Sequence, residues 1–374
     1  MTTTSARDVV IIGGGITGIA TAYYLAHAGI ASTVIERDAI ASHASGFAYG
    51  GLSGGIPNGP QPNFPAITEG MRLHRELAVT LAEESDVDIQ FQDRPALKLA
   101  LSDDEATTLR QHLDWQQAQA GYTVQWLDGA AARALEPRIA PETVDALYIE
   151  GSADVEPYRL TLALAQAAEK RGAAVRTASV VGLRQDGGRV TGVALEGGEV
   201  VGCDAVVVAM GPWCAEASAW LGLDVPVRPL KGQILRLRAP GEPYRLSIGH
   251  GKNYAMTKPA DGLLWTGTTE EEAGFDESKT TEARDSIIES ALRMLPALAD
   301  AELVLQTACL RPVTPDNALI LGRVPTLDGA YIATGGGRQG IMMGPAMAKA
   351  VADLIATGAT ELPLDAYDPA RFTG

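Results

Sequence analysis

The stretch Asp8-Val9-Val10-Ile11-Ile12-Gly13-Gly14-Gly15-Ile16-Thr17-Gly18, continued by Ile19 to Ala26 and closed by Val34-Ile35-Glu36, decides how this chain is read. Val9 to Ile12 is an apolar run of strand character that feeds a glycine turn. A helix follows, with Ile19, Ala22, Tyr23 and Ala26 on its apolar face, and a second short strand, Thr33 to Ile35, ends on an acid. Gly13 permits the tight turn, Gly15 lets backbone approach a pyrophosphate, and Gly18 lets the helix pack on the sheet. Free N–H groups and the positive dipole end of the helix suit phosphate. Glu36, about twenty residues past the turn, is placed to accept hydrogen bonds from ribose hydroxyls. The motif thus calls for a dinucleotide and leaves NAD and FAD open. Its place at the start of the sequence leans toward FAD held as a resident group.

The next segment, Ala41 to Gly55, is too rich in glycine and small residues for a helix interior. Either it is a flexible surface loop or it presses backbone against a flat ligand, and its position directly after the nucleotide unit favours the ligand.

Beyond this, the pattern predicts a helix over 65–84, with Leu73, Leu77 and Leu81 at helical spacing. It predicts a strand over 91–101 and a helix capped at Ser102-Asp103-Asp104-Glu105 that runs to about Ala120. Another short helix starts at Leu127-Asp128, and a long one covers 158–171. Glycine turns at Asp186-Gly187-Gly188 and Glu196-Gly197-Gly198 mark a β-meander, and Ala205 to Ala209 reads as a buried parallel strand. Longer strands are expected at 232–238, 244–248, 253–258 and 263–268, the last two joined through Asp261-Gly262. A helix over 281–295, strands at 308–314, 318–321 and 330–333, a second glycine turn at Gly335 to Gly340 and a closing helix over 344–356 complete the chain. This order points to a mixed α/β protein in which a discontinuous cofactor-binding unit (1–85, 146–226 and 308–374) carries an inserted antiparallel-sheet unit for substrate (86–145 and 227–307).

Composition narrows the function classes. At 374 residues the chain is long enough for two cores. A formal net charge of −16 argues against nucleic acid and against an anionic membrane surface. The three cysteines, Cys203, Cys214 and Cys309, form no C-x-x-C pattern, so neither a disulfide framework nor a metal site is expected. A reducing, cytoplasmic compartment fits. Met1 to Arg7 lack the apolar centre of a signal peptide, and no apolar run is long enough to span a bilayer.

Taken together, the N-terminal unit, Ser45-Gly46-x-Ala48-x-Gly50-Gly51, the strand ending Val208-Ala209-Met210-Gly211-Pro212-Trp213, the stretch Cys309-Leu310-Arg311-Pro312-x-Thr314-Pro315-Asp316 and Gly336-Gly337-Arg338-x-Gly340-Ile341 resemble the D-amino acid oxidase (DAO) family of flavoproteins, nearest its glycine oxidase and D-amino acid dehydrogenase branch. The likeness spans almost the whole chain. It implies a glutathione-reductase-like Rossmann FAD-binding domain with the inserted antiparallel domain. It implies FAD contacts from Gly13, Gly15, Ile16, Thr17 and Gly18, from Glu36 and Arg37, and from Ser42, His43, Ser45, Gly50, Gly51 and Leu52. Further contacts are implied from Val180, from Ala209, Gly211 and Trp213, and from Gly337, Arg338, Gly340, Ile341 and Met342.

The same likeness makes Arg311 the group that binds a substrate carboxylate, by a planar two-pronged hydrogen bond. Tyr254 is a substrate-contacting phenol or a plain strand aromatic. Arg338 either touches substrate or balances flavin charge. Cys309 resembles, in position, the cysteine that carries covalent FAD in monomeric sarcosine oxidase, but Arg311-Pro312 departs from that pattern and a packed thiol with non-covalent FAD is favoured. His43 is a base or a solvated loop residue. Glu270-Glu271-Glu272 reads as a solvated turn. The implied reaction is oxidation of the α-carbon–nitrogen bond of a small amino or imino acid, with O₂ or another electron acceptor. A dehydrogenase serving quinone, a FAD subunit of a larger complex, and a homo-oligomer stay open.

Overall fold

The computed structural model describes residues 8–52, 57 and 59–373; Met1 to Arg7, and Ser53, Gly54 and Gly55 of the glycine-rich segment, lie outside the described residues. Val9–Ile12 is wholly buried because it is the middle of a six-stranded sheet. The spatial order is Ile320–Arg323, Ala330–Thr334, Ala205–Val208, Val9–Ile12, Ser32–Glu36 and Ala174–Thr177. All pairings are parallel except the first, Ile320–Arg323 with Ala330–Thr334. Alternation along the first strand feeds two cores. Val9 and Ile11 join the core packed with helices Ile16–His27, Phe64–Glu84, Pro157–Lys170 and Gly340–Ala356. Val10 and Ile12 join the core under the meander Val180–Asp186, Arg189–Leu195 and Val200–Gly202.

The second, eight-stranded sheet runs Glu302–Val313, Arg228–Arg238, Leu264–Gly267, Asn253–Thr257, Ser247–His250, Ala96–Ala100, Asp145–Glu150 and Thr123–Asp128. One face, with Leu97, Ile248, Ala255, Leu264 and Leu235, packs on helix Thr281–Met294. The opposite face looks toward the nucleotide sheet. Two of its strands fall where the sequence division put the cofactor unit: Asp145–Glu150 pairs with Ala96–Ala100, and Glu302–Val313 pairs along Arg228–Arg238. The second strand begins six residues before the expected 308, because its first half stays on the ladder although its side chains are exposed.

Other differences are local. The helix expected to reach Ala120 stops at Arg110 and resumes as Leu113–Gln117. Thr123–Asp128 is a strand, and Asp128 caps the helix Gly129–Leu135 that follows it. The strand expected at 244–248 is Ser247–His250, and 91–101 is split into Gln92–Asp93 and Ala96–Ala100. The closing helix starts at Gly340 and takes Pro345 into its first turns. A four-residue helix, Ala44–Phe47, sits in the segment read as irregular.

Candidate active site

Between the two sheets lies a cavity of about 1070 Å³. Its wall starts at the glycine turn and Glu36, passes Ser42 to Gly51, and ends at Arg311, Tyr254 and the second glycine turn. Every site residue expected from the sequence lines it except Gly18 and Leu52. Gly18 acts from behind: a Cβ there would lie 2.0 Å from the Gly13 carbonyl oxygen. Leu52 is fully buried in the helix-side core, its N–H given to Ala153 O at 2.8 Å, so its apolar side chain belongs to packing.

The glycine turn has the shape that a dinucleotide needs. Gly13 holds φ +113°, and a Cβ on it would meet Ala209 O at 2.4 Å. Gly15 is the N-cap of helix Ile16–His27, and the Ile16 N–H donates to Ser45 Oγ at 2.9 Å. The Glu36 carboxylate receives the Gly14 N–H at 2.6 Å and the Asp38 N–H at 2.9 Å, which fixes it at the lip of the turn. A helix N-terminus and close-packed glycines on a cavity wall fit a pyrophosphate, and a carboxylate pinned beside them fits a ribose.

Nearby, Trp213 is covered by the Arg37 guanidinium at 4.3 Å from its ring centre and by Phe275 at 5.6 Å. His43 packs on the same indole at 4.8 Å and bridges Asp38 (2.9 Å) and Glu277 (3.3 Å). It is therefore a partly buried residue held between two carboxylates. Its hydrogen bond is the main reason that the Asp38 carboxyl sits below the usual range. Phe275 and Glu277 come from the segment after Leu264–Gly267 of the eight-stranded sheet, so this cluster joins the two halves of the fold.

At the far end the eight-stranded sheet presents one row of side chains. Lys98, Gly249, Tyr254, Gly267 and Ile234 are successive cross-strand partners. Arg311 stands beside this row, half-buried. Its Nη2 donates to Thr268 Oγ1 at 2.6 Å and its Nη1 to Thr269 O at 3.1 Å. No carboxylate of the described residues pairs with it. The guanidinium has room because residue 232, opposite Cys309, is glycine: a Cβ there would lie 2.0 Å from Nη2. Tyr254 stacks on Tyr49 with ring centres 3.7 Å apart. Burial pushes its phenol up to about 12, against the pull of Arg311. Cys309 is a buried free thiol, pushed up by burial, which leaves it a weak nucleophile.

Arg338 is held differently. Its Nη1 donates to Glu270 Oε1 at 2.9 Å and its Nη2 to Lys252 O at 2.7 Å. The acidic run is consequently not a solvated turn. Partial burial works to raise the Glu270 carboxyl, but Arg338 outweighs it and the group falls below its usual range. Glu271 accepts from Gln233 Nε2 at 3.0 Å and Thr269 Oγ1 at 2.5 Å, and Glu272 pairs with Arg228. Reading the sequence missed Gly232, Tyr49, Thr268, Glu270 and Lys98, whose ammonium burial pushes down to about 8. For Gly232 the one available signal was a glycine at the start of the predicted strand 232–238. Among the described residues no cluster could hold a metal ion, and no helix is long and apolar enough to cross a membrane.

Comparison with known proteins agrees with this geometry. Residues 8–354 match the family model described as FAD dependent oxidoreductase, DAO. The chain is 32% identical over 372 residues to a glycine oxidase of Geobacillus kaustophilus, covering 98% of this chain and 97% of the relative. It is 30% identical over 375 residues to hydrogen cyanide synthase subunit HcnC of Pseudomonas aeruginosa, covering 90% and 89%. The crystal structure of glycine oxidase from Geobacillus kaustophilus superposes with a TM-score of 0.92 at 30% identity, covering 98% of this chain and 100% of that one. A family match over nearly the full length, on a cavity whose glycine turn fits the cofactor, makes the chain a member of the DAO family of FAD-dependent oxidoreductases.

Proposed function

We propose that this enzyme oxidises the α-carbon–nitrogen bond of a small amino or imino acid, glycine and its N-substituted forms being the first candidates. The observation that carries this reading is Arg311: a guanidinium on the cavity wall, given space by Gly232 and oriented by Thr268, with no carboxylate of the described residues in direct ion-pair contact with it. Such a group calls for an anionic ligand, since burying an arginine without a counter-charge is costly. Likeness to a glycine oxidase supports an α-carboxylate as that ligand.

When bound, FAD supplies the hydride acceptor. The residues of the chain then divide the remaining work. Arg311 takes the carboxylate in two parallel hydrogen bonds and so sets the direction of the α C–H. Tyr254 keeps its proton up to about pH 12 and can donate to the same carboxylate. Tyr49, stacked on it, closes the apolar side and excludes water. Both ring nitrogens of His43 face carboxylates, Asp38 and Glu277, and His250 Nε2 faces Glu105 at 3.0 Å; the reading assigns neither histidine as a base for the α-proton. Hydride departure needs no such base, because the neutral amine supplies the electron push.

Bleaching of flavin without oxygen, with a panel of glycine, sarcosine, D-amino acids and proline analogues, tests the reading; absence of bleaching by every member would sink it. Oxygen uptake against dye reduction then separates oxidase from dehydrogenase. Likeness to a cyanide synthase subunit favours a second reading, in which the chain works inside a hetero-oligomer. Native mass in cell extract decides between them.

A further inference from the structure

The closing helix, Gly340–Ala356, carries Pro345 inside it. Proline has no N–H, so the carbonyl four residues earlier, on Ile341, loses its helical partner. That carbonyl is not left empty. His74, fully buried on helix Phe64–Glu84, lies with Nε2 2.8 Å from Ile341 O. Facing an oxygen, Nε2 must carry the proton. One turn earlier on the same helix, Gly70 allows the close approach: a Cβ there would lie 2.1 Å from Met342 O. Helix Phe64–Glu84 thus bonds one carbonyl and lies close against the next in the turn whose other side, Gly340 to Met342, lines the cavity.

Histidine is an unfavourable choice for packing alone. Its Nδ1 is buried with no hydrogen-bond partner, and an apolar ring of similar size would avoid that penalty. Burial also pushes the imidazole down to about 4, so it remains a neutral donor at working pH. What the imidazole provides and an apolar ring cannot is the single N–H directed at Ile341 O.

We propose that His74 is a positioning residue of the redox site, its Nε2–H replacing the N–H that Pro345 lacks and thereby holding the Gly340–Met342 turn against the flavin ring. This rests on the reading that the ring lies at this end of the cavity. Held in place, the N–H groups of the helix start present their positive dipole end to the ring, which favours its electron-rich reduced form.

The test measures FAD content and midpoint potential of the holoenzyme. His74→Phe, with FAD fully bound, is expected to lower the potential by about 30 mV or more, a tenfold change for a two-electron couple. His74→Gln, which keeps an N–H donor, should recover part of the shift. Pro345→Ala gives Ile341 its own helical donor, so His74→Phe added to Pro345→Ala should change the potential little. A wild-type potential in His74→Phe overturns the proposal. So does an equal drop with and without Pro345. The Pro345→Ala background also guards against a misfolded single variant. Gly340→Val separates failure of the underlying reading, since a Cβ at 340 meets no atom within 4 Å. An unmoved visible spectrum in that variant means that the ring lies elsewhere. A moved spectrum with an unmoved His74→Phe potential means that the ring is here and His74 does not position it.

Discussion

The two ends of the cavity are built in opposite ways. At the nucleotide end the parts are backbone and they are local: Gly13 to Gly18, Glu36 at the end of the next strand, and Ser45 reaching back to the Ile16 N–H. At the far end the parts are side chains and they are distant: Gly232, Tyr254, Thr268, Glu270, Arg311 and Arg338 come from three strands, a loop and a turn. A phosphate site can be made from a turn because peptide N–H groups need only a fixed curvature. A carboxylate site in an enzyme must choose one substrate, so it takes particular side chains and a pocket between strands. The first kind of site tolerates little change at glycine. The second can be retuned one residue at a time.

The largest expected effect breaks the local end. Gly13→Ala places a Cβ 2.4 Å from Ala209 O at φ +113°. Purified protein should lose its FAD, read as flavin absorbance per chain; a fully yellow variant would refute the assigned turn. Next, Arg311→Ala at the other end should keep FAD and cost on the order of 2–5 kcal/mol in kcat/KM, mostly through KM. An unchanged KM removes Arg311 from the site.

The floor shared by both halves can be probed by pH. The folded His74 pKa, about 4, lies below its ordinary value of 6.5. Between these values the unfolded chain binds more protons than the folded one, so stability rises with pH and falls as pH drops from 6.5 toward 4. The swing is on the order of 2–3 kcal/mol. His74→Gln should flatten this limb in denaturant titrations at pH 4.5 and 6.5.

A smaller effect sharpens the distant end. Gly232→Ala pushes the guanidinium off its seat and should raise KM about tenfold, or about 1.4 kcal/mol, with no added effect in Arg311→Ala; additive losses would mean that Gly232 serves the strand instead. The least effect belongs to Glu270→Gln. The Arg338 pair is partly exposed, so its loss is worth about 0.2–1 kcal/mol of stability by thermal denaturation. A change in the preferred substrate would show that Arg338, once released, reaches the pocket.

How much of this was legible in the sequence follows from the same contrast. The glycine turn, Glu36, the buried parallel strand at 205–208 and the Asp261-Gly262 hairpin were readable because their constraints lie within a few residues. Arg311 was readable only through family likeness, since nothing adjacent to it shows that residue 232 must be glycine. Glu270 was misread because a run of three acids resembles a solvated turn until Arg338, sixty-eight residues on, closes over it. Leu52 was assigned to the cofactor through the family likeness, yet its N–H bonds Ala153 O and its side chain is buried in the core. The sheet of Asp145–Glu150 was not legible because a strand's period does not name its sheet; the strand pairs with Ala96–Ala100 through register.

By itself, the sequence determined that this protein is of mixed α/β class and binds a dinucleotide at its first glycine turn, because phosphate cradling depends on φ, ψ and spacing along one short segment. Only the tertiary structure decided which arginine is left without a carboxylate partner on the cavity wall, which is tied to Glu270, and which histidine meets the Ile341 carbonyl. Those outcomes depend on charges and donors that meet across strands and helices, where distance in space bears no relation to distance along the chain.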